Sequence, residues 1–296
     1  MTPALETAYH LALKQALEKG YALLASGGTA EEAVLQAVMS LEDNLLFNAG
    51  RGAVFTKKGE HEMDAAIMRG HDLAAGAVAG VQNIVNPIAL AAEIMNHSSH
   101  VFLSGHGALQ FALERKLPVA PDSYFYSALR FEQWQQVRDV DGYALDHNIH
   151  TQSATVKSNK MGTVGAVACD ALGNVAAATS TGGMTNKQYN RIGDTPVIGS
   201  GTYASNATCA ISCTGHGELF IRAVAAYDVS CLMAYKGLSL QQAMHLVVME
   251  KLVAIGGEGG MIGVDAQGNA ALLFNSEGMY RGVKNSEGLM ETAIYQ

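Results

Sequence analysis

Apolar residues open the chain at helical spacing: Leu5, Ala8, Leu11, Leu13, Ala16 and Leu23 predict a helix over 4–26 that stops at the Gly27-Gly28 pair. Thr29 then stands three residues before Glu32, the spacing of a capping box in which hydroxyl and carboxylate each satisfy an orphan N–H. A second helix is predicted from there through Leu41. Over 48–70, "NAGRGAVFTKKGEHEMDAAIMRG", the pattern changes to strand character around a Lys-Gly turn, which predicts a hairpin. Further helices are predicted after Asn86-Pro87, from Gly105 to Lys116 and from Ser123 to Val137.

The period then disappears. The stretch 139–160, "DVDGYALDHNIHTQSATVKSNK", has no face to bury and reads as a linker or mobile loop running to about 162. After it, "TVGAVACD" and "NVAAATST" alternate as strands around a turn, and "MIGVDAQGNAALLFNSEG" repeats the design near the C-terminus. Both bends carry Asp-x-x-Gly-Asn (Asp170 to Asn174, Asp265 to Asn269), where Asp and Asn bond back to the turn and Gly supplies positive φ. Between these hairpins two helices are predicted, one from Thr214-Gly215 to 235 and one from the capping box Ser239-x-x-Gln242 to about Val253. Strand pairs followed by strongly apolar helices predict a layered α+β sandwich.

Composition narrows the function. The 296 residues are 49% apolar, ample for a core, and the net charge of −8 comes without any basic block that could follow a phosphate backbone, so nucleic acid is not an expected partner. No apolar run reaches a membrane span, and charges stand where a signal peptide would need its apolar centre, which reads as a cytoplasmic protein without a membrane partner. The four cysteines lack paired metal-ligand spacing and read as small buried hydrophobes. No cofactor is expected for catalysis.

The chemistry gathers at "KMGTVGAVACD", where Thr163 starts a strand that otherwise looks buried. A threonine hydroxyl is a poor nucleophile until a base takes its proton, and no Gly-x-Ser-x-Gly elbow, His or Asp adjoins Thr163. Cutting the Gly162–Thr163 bond would make the freed α-amine that base, since such an amine titrates near ~8. Elsewhere, Arg191 and Asp194 lie three apart in "RIGD": ordinarily a surface ion pair, but facing a cleft they could hold a carboxylate and an ammonium. Thr214 and Gly215 at a helix start could point a hydroxyl and a free N–H at one oxygen, an oxyanion hole.

The segments "MGTVGAVACDALGNVAAATSTGGMTNK", "RIGDTPVIGSGTYA" and "SCTGHGELFIRAVAAYD", with "LEDNLLFNAGRGAVF" and "DAAIMRGHDLAAGAVAGV" in the first half, resemble the plant-type asparaginase and isoaspartyl peptidase family of N-terminal-nucleophile hydrolases over nearly the whole chain. The resemblance implies a precursor that cuts itself between Gly162 and Thr163 into an α part, 1–162, and a β part, 163–296. These stay together as one four-layer αββα sandwich, and two such units pair as (αβ)2. It implies hydrolysis of β-aspartyl (isoaspartyl) dipeptides and L-asparagine, with glycosylasparaginase activity, or an inactive binding homologue, as alternatives.

By the same resemblance Thr163 is nucleophile and base, Thr181 is its companion, and Thr214 and Gly215 hold the oxyanion. Arg191, Ile192, Gly193 and Asp194, with Thr214, Gly215, His216 and Gly217, form the substrate site; His216 is expected to bear on specificity or to face solvent. The loop from Leu41 to Arg51 resembles one whose main-chain carbonyls (Leu41, Glu42, Asn44, Phe47, Ala49, Arg51) hold a structural sodium ion, a hard cation suited to oxygen ligands. Two departures carry expectations. Gln188-Tyr189-Asn190 replaces small residues before the arginine, which bears on pocket width. The family's first strand, ending in a His-Gly-Gly-Ala-Gly-like turn, has no counterpart here, which is expected to leave unpaired backbone and an apolar gap, lowering stability and slowing self-cleavage.

Overall fold

The computed structural model describes residues 1–139, 143–145, 148–150, 155–156 and 162–296. Helix α1 (Pro3–Ala25) is capped by Thr2, and α2 (Ala30–Glu42) by the expected Thr29–Glu32 box, with both reciprocal hydrogen bonds formed. The two pack together along Tyr9, Leu13 and Ala16 on one and Ala33, Val34 and Val38 on the other, all buried. Burying a side chain such as Val38 contributes about 1.5–3 kcal/mol.

The hairpin expected within 48–70 does not form. Its turn does, with Gly59 N–H donating to Thr56 O at 3.0 Å, but only Met63–Arg69 becomes a strand, β1. β1 pairs on one edge with β2 (Ala75–Val81), which the apolar pattern had not marked, and on the other with β8 (Val175–Thr181), Asp64 standing opposite Thr181. Helix α3 (Pro87–His97), strand β3 (Phe102–Ser104) and helix α4 (Gly105–Glu114) follow. The helix expected over 123–137 is a 3-10 turn and a shorter α5 (Ala128–Gln135). Inside the stretch read as a linker, β4 (Tyr143–Leu145), β5 (Asn148–His150) and β6 (Thr155–Val156) form a small antiparallel sheet. Residues 140–142, 146–147, 151–154 and 157–161 of that stretch lie outside the described residues.

β7 (Val164–Cys169) pairs with β8 to complete a sheet ordered β3-β2-β1-β8-β7. β9 (Thr202–Ala204), β10 (Cys209–Gly215), β11 (Gly259–Asp265) and β12 (Ala270–Phe274) make a second, antiparallel sheet ordered β12-β11-β10-β9. The Asp-x-x-Gly-Asn bends behave as expected: Asp170 Oδ1 accepts from Leu172 N and Asn174 N, and Asp265 Oδ1 from Gln267 N and Asn269 N. Strand β10 lies against β7 and β8, while α2 and α3 cover the first sheet. Among the described residues no helix is long and apolar enough to cross a membrane.

The long helix expected from 214 is two helices, α6 (Gly217–Ala223) and α7 (Ala225–Lys236), separated by Val224 in the left-handed region at φ 50°. The capping-box helix α8 runs from Leu240 through His245, and its last turns widen to a π-helix over Leu246–Lys251 before closing at Ala254. Among the described residues β13 (Gly278–Lys284) and β14 (Met290–Tyr295) pair only with each other, in contact with α1. Among the described residues β7 has β8 on one edge and no strand on the other, and a cleft lined by Leu13, Leu41, Phe47, Val164, Met279 and Tyr280 separates it from β13.

Candidate active site

Thr163 immediately precedes β7, half-buried, where the antiparallel register brings it beside the end of β8. Its hydroxyl donates to Thr181 Oγ1 at 3.2 Å, and Thr181 Oγ1 also accepts the Gly183 N–H at 3.0 Å. Thr181 is 3% exposed, so this bond sits in a shielded place. The turn after β8 is gripped by Asn48, which donates from Nδ2 to Gly183 O at 2.7 Å and accepts the Gly182 N–H on its carbonyl at 3.0 Å. Ser180, next in β8, donates to the buried Glu42 Oε1 at 2.6 Å. The side chains of Asn48 and Glu42 were not marked as functional by the sequence. Only the fold brings the loop after α2 to the end of β8.

Thr163, Thr181, Arg191, Asp194, Thr214 and Gly215 all line one cavity, as do Gly162 and Gly193. Thr214 and Gly215 do not open a helix. They finish β10, paired with Gly260 and Gly259, because Gly215 at φ 148° extends the strand where another residue would be strained; α6 begins two residues later, after His216. The donors expected from a helix N-terminus are therefore a strand-end hydroxyl and N–H. His216 N–H is engaged by Glu258 O at 3.0 Å. Ile192 is 41% exposed and does not line the cavity, and neither do His216 and Gly217, which were expected in the substrate site.

Arg191 and Asp194 face the cavity, as the spacing allowed. Arg191 Nε and Nη2 donate to Glu218 Oε1 and Oε2, each at 2.7 Å. Burial opposes its charge, but the Glu218 carboxylate outweighs burial and holds the guanidinium above its ordinary range. Asp194 is buried, which pushes its pKa up to about 7, and its Oδ2 has no hydrogen-bond partner among the described residues. A buried carboxylate with a free oxygen beside a cavity can accept a hydrogen bond from a cation. Behind the pair, Asp64 accepts the Gly80 N–H at 2.8 Å and Lys187 Nζ donates to Glu62 O at 2.9 Å. Burial raises the Asp64 pKa and lowers that of Lys187, while their opposite charges counter both effects.

Glu218, Asp64 and Lys187 stand in no local motif that marks them as site residues. Glu218 carried one signal, an acid in the first turn of a helix, which ordinarily answers the helix dipole alone.

The loop proposed for a sodium ion leaves α2 at Leu41 and Glu42 and turns back through Asn44, Phe47, Ala49 and Arg51. It closes tightly: a Cβ on Gly50 would stand 2.6 Å from Glu42 O, and one on Gly52 would collide with Phe47 O. Within the loop Leu41 O, Asn44 O and Ala49 O accept the Asn44, Phe47 and Gly52 N–H groups at 3.2, 3.3 and 3.1 Å, and a carbonyl oxygen keeps a second lone pair of the kind a hard cation takes.

The profile of the family described as "Asparaginase" matches residues 1–294. The chain is 50% identical over 291 residues to an isoaspartyl peptidase of Escherichia coli, an alignment spanning 98% of this chain and 90% of that protein. It is 40% identical over 276 residues to an isoaspartyl peptidase/L-asparaginase of Xenopus laevis, spanning 93% and 85%. The corresponding Homo sapiens protein is 39% identical over 270 residues, spanning 91% and 84%. With a matching profile along nearly its full length and relatives of this identity, the chain belongs to the asparaginase family.

Proposed function

We propose that the protein is a threonine amidohydrolase that activates itself by cutting the Gly162–Thr163 bond and then hydrolyses β-aspartyl dipeptides and L-asparagine. The observation that carries this reading is the convergence of Thr163, bonded to Thr181 at 3.2 Å, with the cation Arg191 and the unpartnered carboxylate oxygen of Asp194 on a single cavity. Names of relatives as isoaspartyl peptidase and L-asparaginase support the same substrates.

In self-cleavage, Thr163 Oγ attacks the Gly162 carbonyl carbon and the peptide C–N bond breaks, leaving an ester on Oγ and a free α-amine. Water then hydrolyses the ester and releases Gly162 as a carboxylate. In turnover the α-amine takes the Oγ proton while Oγ attacks the side-chain amide carbonyl. Thr214 Oγ and the Gly215 N–H stabilise the developing oxyanion. The amine passes its proton to the departing nitrogen, which leaves as ammonia from asparagine or as an amino acid from a dipeptide. Water attacks the β-aspartyl ester, and L-aspartate departs. Throughout, Arg191 holds the α-carboxylate and Asp194 the α-ammonium.

The same reading includes the four-layer αββα arrangement, association as (αβ)2, and a sodium ion on the carbonyls of Leu41, Glu42, Asn44, Phe47, Ala49 and Arg51 that braces the loop carrying Asn48. Mass spectrometry of the folded protein should give fragments 1–162 and 163–296, and that preparation should release leucine from β-Asp-Leu. Absence of hydrolysis by cleaved, folded protein would overturn the reading.

A further inference from the structure

Arginine has five N–H donors in one plane. Glu218 takes the side edge of Arg191, one hydrogen from Nε and one from Nη2, at 2.7 Å each. Among the described residues the end edge, formed by Nη1 and the second Nη2 hydrogen, has no hydrogen-bond acceptor and can take a second carboxylate. Two glycines fix where that edge lies. A Cβ on Gly193 would come within 2.8 Å of Nη1, and one on Gly217 within 2.9 Å of Nη2 and 2.8 Å of Asp194 Oδ1. The guanidinium thus lies closely between two backbone segments, with Glu218 holding it from one side. Glu218 is half-exposed, its side chain 43% accessible, against 19% for Arg191, and His216 Nε2 stands 3.4 Å from the same Oε2.

We propose that Glu218 is a positioning residue for substrate recognition. By occupying the side edge of Arg191 it presents a single bidentate edge to the α-carboxylate of an aspartyl group, 'end-on', beside Asp194. This rests on the clamp role proposed for Arg191. Without this brace the guanidinium would keep more rotational freedom about its last side-chain bonds, and ordering it would oppose binding. Together with Asp194 and Asp64, Glu218 also compensates the charge of the half-buried guanidinium.

The test reads binding directly. Calorimetry of L-aspartate and of β-alanine, which lacks the α-carboxylate, is run on the wild-type protein, Glu218→Gln and Glu218→Ala. The amide of Glu218→Gln keeps one acceptor and nearly the same volume, so it guards against failure of the alanine variant to fold. L-Aspartate should bind about 10- to 100-fold more weakly to Glu218→Ala, with Glu218→Gln between, the range expected for loss of hydrogen bonding to a charged group. β-Alanine should bind the three proteins alike, and cutting at Gly162–Thr163 should keep its rate, since it needs no α-carboxylate. Equal losses for both ligands would show a general disturbance of the pocket and overturn the proposal, as would unchanged aspartate binding. Because the readout is binding, a wild-type protein without hydrolytic activity would count against the proposed function and leave this test standing.

Discussion

Replacing Asp194 by Asn should stabilise the protein at pH 8 while destroying its use of substrate. Burial pushes the carboxyl pKa from 3.8 up to about 7. The sign follows from linkage: the folded state keeps its proton where the unfolded chain has already lost it, so stability is intact below pH 3.8, falls as pH rises, and has lost its full share above about 7. At about 1.4 kcal/mol per pH unit, the interval from pH 5 to pH 7 amounts to at most roughly 3 kcal/mol. An amide has no charge to desolvate, so Asp194→Asn escapes this loss. Glu42, raised to about 8 by its burial, titrates in both proteins and cancels from the comparison. For a chain of this size a kilocalorie corresponds to roughly 2 °C in Tm. Differential scanning fluorimetry should therefore show the Tm gain of Asp194→Asn at pH 8 exceeding its gain at pH 5 by up to about 6 °C. An identical gain at both pH values would refute the argument that Asp194 is a desolvated carboxylate held for a substrate cation.

Other outcomes follow from the same geometry. Thr163→Ala should abolish both the cut and hydrolysis on denaturing gels and in amine-release assays, and Thr163→Ser should keep part of each because the hydroxyl remains. Arg191→Ala should lower kcat/KM for L-asparagine about 10- to 100-fold, with the cut unaffected, as a charged hydrogen bond to substrate is lost; unchanged kinetics would remove Arg191 from the site. Ser180→Ala deletes the 2.6 Å bond to the buried Glu42 and should cost about 1–3 kcal/mol in urea unfolding.

The parts legible in the sequence were those whose chemistry is local. Capping boxes at Thr29 and Ser239 and the Asp170 and Asp265 bends are complete within five residues, and each forms as spelled. The 48–70 hairpin failed because a turn fixes only its own backbone, whereas β1 takes its partner β8 from more than a hundred residues away. The break at Val224 carried no local mark either, since a β-branched residue in the left-handed region is disfavoured and only tertiary packing imposes it. The site divides the same way. Thr163, Arg191 and Asp194 stood in recognisable motifs, while Glu218, Asn48 and Glu42 acquire their sense only through contacts with residues far along the chain.

In the proposed chemistry one residue, Thr163, is both the new N-terminus and the nucleophile. Acid quenching during turnover of L-asparagine, followed by peptide mapping, tests it most directly. The expected product is a fragment beginning at Thr163 that carries one aspartyl acyl group on that residue. Hydrolysis by a chain still whole at Gly162–Thr163, or an acyl group on any other side chain, would contradict it.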